Sequence, residues 1–308
     1  MIGIVVKTYG KYYTVEYEGG RMNCVLRGRL RQDRRLEKYS EAVAVGDEVD
    51  FEPDVDGGGG AISLVHERKN AFTRKYKDSD RDDLIAANLD QIVVIQSFGK
   101  PKLNLRFVDR LFVRGSKEEI HVLLCVNKLD LAEEEDAAHL ADYYRGFDAD
   151  IMLVSAKTGE GLGSLRERLA GRLSILIGSS GVGKTSILNG LYPDLDLRTT
   201  EVSDSTGKGR HTTTNAEMFV MEDGARIIDT PGLREFGLVD IEPHELGSYF
   251  MEFGAYSRKC GFSPCTHDHE PDCEVKRLVE KGKLSDERYV SYLNILNTLK
   301  QYRENRYR

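Results

Sequence analysis

Residues 178–185 read Gly-Ser-Ser-Gly-Val-Gly-Lys-Thr, a glycine-rich turn ending on a lysine and a hydroxyl residue. Gly181 and Gly183 let the backbone curl so that consecutive N–H groups point inward, an arrangement that cradles phosphate oxygens. The cradle runs through Gly178, Ser179, Ser180, Gly181, Val182 and Gly183. Lys184 can reach β- and γ-phosphates, the Thr185 hydroxyl can ligate Mg²⁺, and Ser186 lies in the following helix, whose positive end adds attraction. The apolar run LSILI precedes the turn and TSILNGLY follows it, the strand-then-helix setting the chemistry needs.

Two short motifs after other apolar runs point to the base. Asn127, Lys128, Leu129 and Asp130 follow IHVLLCV. A carboxylate placed like Asp130 accepts from both the N1–H and the 2-amino group of guanine. Adenine would leave it unpaired, at a large cost in a buried site. Asn127 can tie its loop to neighbouring backbone, and the Lys128 stem can cover the base. Ser155, Ala156 and Lys157 follow DIMLV; the Ala156 N–H can donate to guanine O6.

The γ-phosphate side is expected in two further segments. In IIDTPG, Asp229 ends a strand and would hold Mg²⁺ through water, while the Gly232 N–H would sense the γ-phosphate. In GRHTTT, one of Thr212, Thr213 or Thr214 should complete the Mg²⁺ shell. Leu233 stands where many GTPases carry a water-orienting glutamine, and leucine cannot hydrogen-bond water. His211, beside the threonines, is the best candidate for the catalytic group that positions the nucleophile; an ordinary loop residue or an RNA contact is the alternative.

These five motifs complete the set of a GTPase, in the order base, base, phosphate, switch, switch. Joining the ends of the ordinary domain and cutting after the second switch yields that order, so a circularly permuted P-loop GTPase domain is expected. The runs at 90–98, 120–127, 150–156 and 173–179 read as buried strands separated by helical stretches such as 105–119 and 162–172, hence a mostly parallel sheet covered on both faces. Residues 1–67 instead read as about five short strands punctuated by glycine turns, the pattern of an OB-like β-barrel. The polar residues 68–85 read as a linker, and 68–238, including it, as the GTPase domain.

Residues 239–308 leave the α/β pattern and are expected to form a mostly helical zinc-binding domain. Cys260, Cys265, His267 and Cys273 give C-x4-C-x-H-x5-C, and four such ligands suit a closed structural Zn²⁺ site. His269 rivals His267 for the imidazole position. Cys24 and Cys125 are isolated, and Cys125, which lies in an apolar run, is expected to pack. Near the end, Tyr289, Tyr292, Leu293, Leu296, Leu299 and Tyr302 form a helical stripe suited to core packing, with Ser285 as N-cap. Because the second switch runs straight into this domain, γ-phosphate sensing at Gly232 is expected to reorient it.

The 308 residues carry a net charge of −7, so bulk electrostatics do not advertise a nucleic-acid binder. Arg21, Arg27, Arg29, Arg31, Arg34 and Arg35 nonetheless crowd one segment against a single acid, Asp33; a phosphate-pairing patch and a solvated charged loop are both open. No apolar run approaches a membrane span and the first residues do not read as a secretory signal, so a cytoplasmic protein without membrane contact is expected. Nothing demands a dimer, and a monomer is expected.

Barrel, permuted GTPase core and Cys3His region together resemble the bacterial ribosome small subunit-dependent GTPase A family (RsgA type) over essentially the whole chain. The resemblance implies a GTPase acting late in small-subunit maturation, slow alone and stimulated by that subunit, with GTP and GDP, the small subunit and its ribosomal RNA as partners. It implies Mg²⁺ with GTP, one structural zinc, and a catalytic role for His211. Two rivals are a large-subunit assembly GTPase, whose usual lack of the barrel and zinc region argues against it, and a GTP-gated RNA-binding module with incidental hydrolysis.

Overall fold

The computed structural model describes residues 1–28, 30, 33–54, 58–74, 81–195, 216–229, 237–238 and 240–306. Gly232, His211, the threonines 212–214, Leu233, Arg29 and Arg31 lie outside the described residues.

Five strands, β1 (Ile2–Tyr9), β2 (Tyr12–Tyr17), β3 (Gly20–Leu26), β4 (Glu48–Pro53) and β5 (Gly60–Val65), close in the order β1-β2-β3-β5-β4 and back to β1. Only β3 and β5 run parallel. Alternate residues point inward, as the pleat requires, and Val5, Tyr13, Val15, Phe51 and Ile62 fill the barrel. The first half of β1 closes the barrel on β4. Its second half reaches outside, pairing Lys7 with Glu217.

The stretch expected to be only a linker carries two strands, β6 (Ala71–Arg74) and β7 (Asp83–Ala87), paired antiparallel. Phe72 and Ile85 are buried in the main core. β6 offers one large apolar residue, Phe72, and β7 a short run, Leu84 to Ala87, that follows the charged stretch DSDRDD, so neither shows a full strand period in the sequence.

Beyond them lies the nucleotide-type layer: β8 (Gln91–Ser97), α1 (Leu105–Lys117), β9 (His121–Asn127), α2 (Glu134–Tyr143), β10 (Asp150–Leu153), α3 (Leu162–Leu169), β11 (Leu173–Ile177), α4 (Lys184–Leu191), β12 (Glu217–Val220) and β13 (Arg226–Asp229). The sheet order is β10-β9-β8-β11-β13-β12, with only β12 antiparallel to its neighbour. Every residue of β8 and β11 is buried. Alternation divides the sheet's side chains between two cores. Val93, Ile95, Leu123 and Leu176 pack with α3 and α4 residues on one face. Ile92, Val94, Leu124 and Ile175 pack on the other with α1 and with the C-terminal helices.

Those are α5 (Leu246–Tyr249), α6 (Met251–Ser257), α7 (Glu274–Glu280) and α8 (Asp286–Arg306). The terminal stripe packs as its spacing predicts: Tyr292, Leu296 and Leu299 are buried. Ser285 caps α8 by accepting the Arg288 N–H at 3.4 Å. Val275, Leu278 and Tyr292 share one apolar cluster with the sheet face, so the C-terminal helices and the sheet have a common core. No helix among the described residues is long and apolar enough to cross a membrane.

Candidate guanine-nucleotide site and metal centre

β8, β9, β10, β11 and β13 run parallel and all end at the carboxyl edge of the sheet. The chain from β11 turns to α4 on one face, and the chain from β8 turns to α1 on the other. Between such diverging strands an open α/β sheet forms its binding crevice.

The phosphate loop occupies that crevice. A Cβ on Gly178 would lie 2.5 Å from the Ile95 carbonyl oxygen, so the loop's first residue must be glycine. Gly183 has φ +93° and stands against the Asn127 amide, which a side chain would displace. The Lys184 ammonium folds back over the loop and donates to the Gly178 carbonyl at 2.6 Å. Burial lowers its pKa, and the nearby Asp229 carboxylate partly offsets that fall. Asp229 is carried there by register, lying beside Leu176 just before the loop. Thr185 and Ser186 stand in the first turn of α4.

The base motifs brace this loop. The Asn127 amide donates to Val182 O at 2.9 Å and accepts the Ala156 N–H at 3.0 Å. One side chain thus joins all three loops, and the N–H expected to meet guanine O6 is here engaged by Asn127. Lys128 takes a left-handed conformation, φ 61°, and its ammonium donates to Gly181 O at 2.7 Å and also to Lys100 O. Leu129 is fixed by its N–H to Val154 O, 3.0 Å. Asp130 accepts the Ser155 hydroxyl at 2.7 Å and pairs with Lys157 at 3.4 Å. The Ser155 hydrogen bond, with help from Lys157, holds the Asp130 carboxyl below the usual range. It is therefore ionised at neutral pH, as an acceptor for two guanine donors must be.

One participant has no motif. The turn after β8, residues 98–104, lies against the phosphate loop, with Pro101 Cδ 3.6 Å from where a Gly181 Cβ would stand. The turn signals Gly99 and Pro101 were visible, but nothing local says what the turn touches.

In the C-terminal region, the ligand atoms of Cys260, Cys265, His267 and Cys273 lie within 4.8 Å of one another. Cys260 Sγ is 3.9 Å from Cys273 Sγ, and His267 Nδ1 is 3.3 Å from Cys273 Sγ and 3.7 Å from Cys260 Sγ. Bond lengths of about 2.3 Å to sulfur and 2.0–2.1 Å to nitrogen give tetrahedral edges of roughly 3.5–3.8 Å, so the donor set fits Zn²⁺. His267 Nε2 lies 3.1 Å from the Ser257 hydroxyl, which leaves Nδ1 for the metal. Tyr289 and Tyr292 of α8 donate to the carbonyls of His267 and Thr266, both at 2.6 Å. The rival His269 is three-quarters exposed and sits by Asp268 instead. Burial pushes the Cys265 thiol up to about 12, and the neighbouring thiolates add to the rise. A bound cation reverses that, so metal uptake releases protons and tightens as pH rises.

In the arginine-rich segment, three described members are matched by acids: Arg21 with Glu16, Arg27 with Glu52, and Arg35 with Asp33. That leaves less free positive charge than the sequence implies.

Sheet order, phosphate loop and base loops define a guanine-nucleotide-binding domain of P-loop type in permuted chain order. Residues 65–239 match the family model described as RsgA GTPase, and residues 2–62 match that of the RsgA N-terminal domain. The chain belongs to the RsgA family of GTPases. It is 41% identical, over 96% of its length and 97% of the relative's, to the "Small ribosomal subunit biogenesis GTPase RsgA" of Chlorobaculum tepidum. The crystal structure of YjeQ from Thermotoga maritima superposes with a TM-score of 0.77 at 35% identity, covering 97% of this chain and 98% of that one. YloQ, described as a circularly permuted GTPase, superposes at 0.73 with 28% identity, covering 97% and 95%.

Proposed function

We propose that this protein hydrolyses GTP as a late maturation factor of the small ribosomal subunit. The permuted guanine and phosphate loops, gathered at one sheet edge in a chain whose relatives are named small ribosomal subunit biogenesis GTPases, support the reading. Asp130 selects guanine, with Asn127, Lys128, Leu129, Ser155, Ala156 and Lys157 shaping the base pocket. Residues 178–186 bind the phosphates, with Lys184 on the β- and γ-phosphates and Thr185 on Mg²⁺. Asp229 and Gly232 read the γ-phosphate side, and His211 positions the attacking water. The protein works as a cytoplasmic monomer. Its GTP form binds the maturing subunit and its ribosomal RNA, and hydrolysis releases it.

Single-turnover hydrolysis with purified ribosomal subunits tests this. Small subunits are expected to accelerate the reaction strongly and large subunits are not. Acceleration by large subunits alone would favour a role on that particle. Acceleration by neither would favour a GTP-gated RNA binder. His211→Ala is expected to lower stimulated turnover by about 10²-fold or more while leaving GTP affinity nearly unchanged, the range for losing a group that handles the reacting proton or water. Wild-type stimulated turnover in this variant would remove His211 from the mechanism.

A further inference from the structure

The C-terminal helices meet the nucleotide-binding layer through buried charges that the nucleotide loops do not use. Arg288, at the start of α8, is 3% exposed. Its guanidinium lies between two buried carboxylates, Asp109 of α1 and Glu252 of α6. Tyr143 of α2 donates to the other Asp109 oxygen at 2.6 Å. Four rings enclose the guanidinium: Phe147 at 4.4 Å, Phe250 at 5.0 Å, Tyr144 at 5.1 Å and Phe112 at 5.8 Å. An apolar contact would hold these helices about as well, because desolvating such charges costs several kcal/mol per ion. The planar guanidinium adds geometry, setting α1, α6 and α8 in one relative placement. Farther along α1, Arg114 donates to Asp240 at 2.9 and 2.6 Å, and Lys117 pairs with the same carboxylate at 2.5 Å. The chain leaving the second switch is thereby anchored to the same helix.

The other end of α1 reaches the nucleotide loops. Its N-cap, Asn104, accepts the Phe107 N–H at 3.1 Å and donates its own N–H to the Gln96 side chain at 3.0 Å. The Ser97 hydroxyl donates to Pro101 O at 3.3 Å, and the Phe98 N–H donates to Asn127 O at 3.0 Å. Lys128 completes the connection by binding both Lys100 O and Gly181 O. The first turn and a half of α1, about 8 Å from Asn104 to Asp109, therefore joins the guanine loop to the Arg288 cluster.

We propose that Arg288 is a positioning residue for the nucleotide site: through Asp109 it sets α1, and through the 98–104 turn α1 sets Lys128 and the phosphate loop. The proposal rests on the reading of 127–130 and 178–186 as nucleotide loops. Coupling of this kind is reciprocal, so nucleotide tightens the seat of α8 as the seat tightens nucleotide. The route runs through the guanine side, which GDP and GTP share. The route through Asp109 therefore reports occupancy, whereas a γ-phosphate signal would meet α1 at its far end, where Arg114 and Lys117 hold Asp240.

Hydrogen exchange on the zinc-loaded full chain tests this, without nucleotide, with GDP and with a non-hydrolysable GTP analogue. Both nucleotides are expected to slow exchange in residues 286–292 by about fivefold and to equal extents, the lower range of allosteric coupling. Asp109→Asn removes the charge and keeps the side chain's shape. It is expected to retain zinc, to weaken GDP binding by about the same factor, and to abolish the slowing in α8. If that variant does not fold, Tyr143→Phe, which deletes only one hydrogen bond to Asp109, should reduce the slowing. GDP protection of 178–186 with unchanged α8 exchange would overturn the proposal, as would wild-type coupling in the variant that folds. Failure of GDP to protect 178–186 would overturn the nucleotide-site reading, and the proposal with it.

Discussion

Asp130→Asn is expected to weaken GTP binding by roughly 10³-fold or more and to shift preference toward xanthosine triphosphate. A site built on hydrogen bonds to a substrate group rejects the wrong partner by about 10⁴–10⁵-fold, because buried polar groups are left unpaired. Asp130 is set for this role by the buried Ser155 hydroxyl at 2.7 Å. As a carboxylate it accepts only, which matches the two donors on guanine. An amide presents one acceptor and one donor, which matches the N1–H and the 2-oxo group of xanthine. Asn127 and Lys128 still brace the phosphate loop in the variant, so a loss confined to guanine separates base reading from loop collapse. Competition binding with GTP, XTP and ATP checks this. Wild-type affinity for GTP in the variant would exclude Asp130 as the base reader.

Cys265→Ser is expected to release about one equivalent of zinc per chain and to lower the melting temperature by roughly 10 °C or more. Structural zinc contributes apparent binding free energies of about 10–16 kcal/mol, and losing a few of these moves a domain of this size by several degrees each. The effect should spread beyond the metal loop. Tyr289 and Tyr292 fasten α8 to the carbonyls of His267 and Thr266, and Tyr292 shares a core with the sheet face. Metal analysis and calorimetry read both parts, and full zinc retention would remove Cys265 from the ligand set. In the wild-type protein, zinc affinity should fall as pH drops, since protons compete for the same thiolates.

The parts legible in the sequence were those written in short stretches. GSSGVGKT, NKLD and SAK each sit where a strand ends, and each apolar run became the strand it suggested. The stripe on α8 and its Ser285 cap were legible for the same reason, since a helix repeats its pattern within a few residues. Contacts between single side chains far apart in sequence were not. Arg288 lies 179 residues from Asp109 and 36 from Glu252, and no periodicity marks such a cluster. The strands β6 and β7 were hidden because their apolar residues are few, Phe72 in one and the short run Leu84 to Ala87 in the other, on either side of a long charged stretch. The 98–104 turn showed its glycine and proline but not what it braces.

The pairing of β1 with β12 bears on how the sheet avoids sticking to its own copies. β12 has four residues, and its side away from β13 would be a bare row of N–H and C=O groups, a template for another chain. The barrel's first strand covers it: Lys7 lies opposite Glu217 and bonds its carboxylate at 2.9 Å, and the Thr8 N–H donates to Ala216 O. The sheet's opposite edge, β10, is also four residues long and carries Asp150 among Arg168 and His121, charges that discourage pairing. The barrel thus seals the sheet against growth, and a chain trimmed of its first 67 residues would expose an adhesive edge to every other copy.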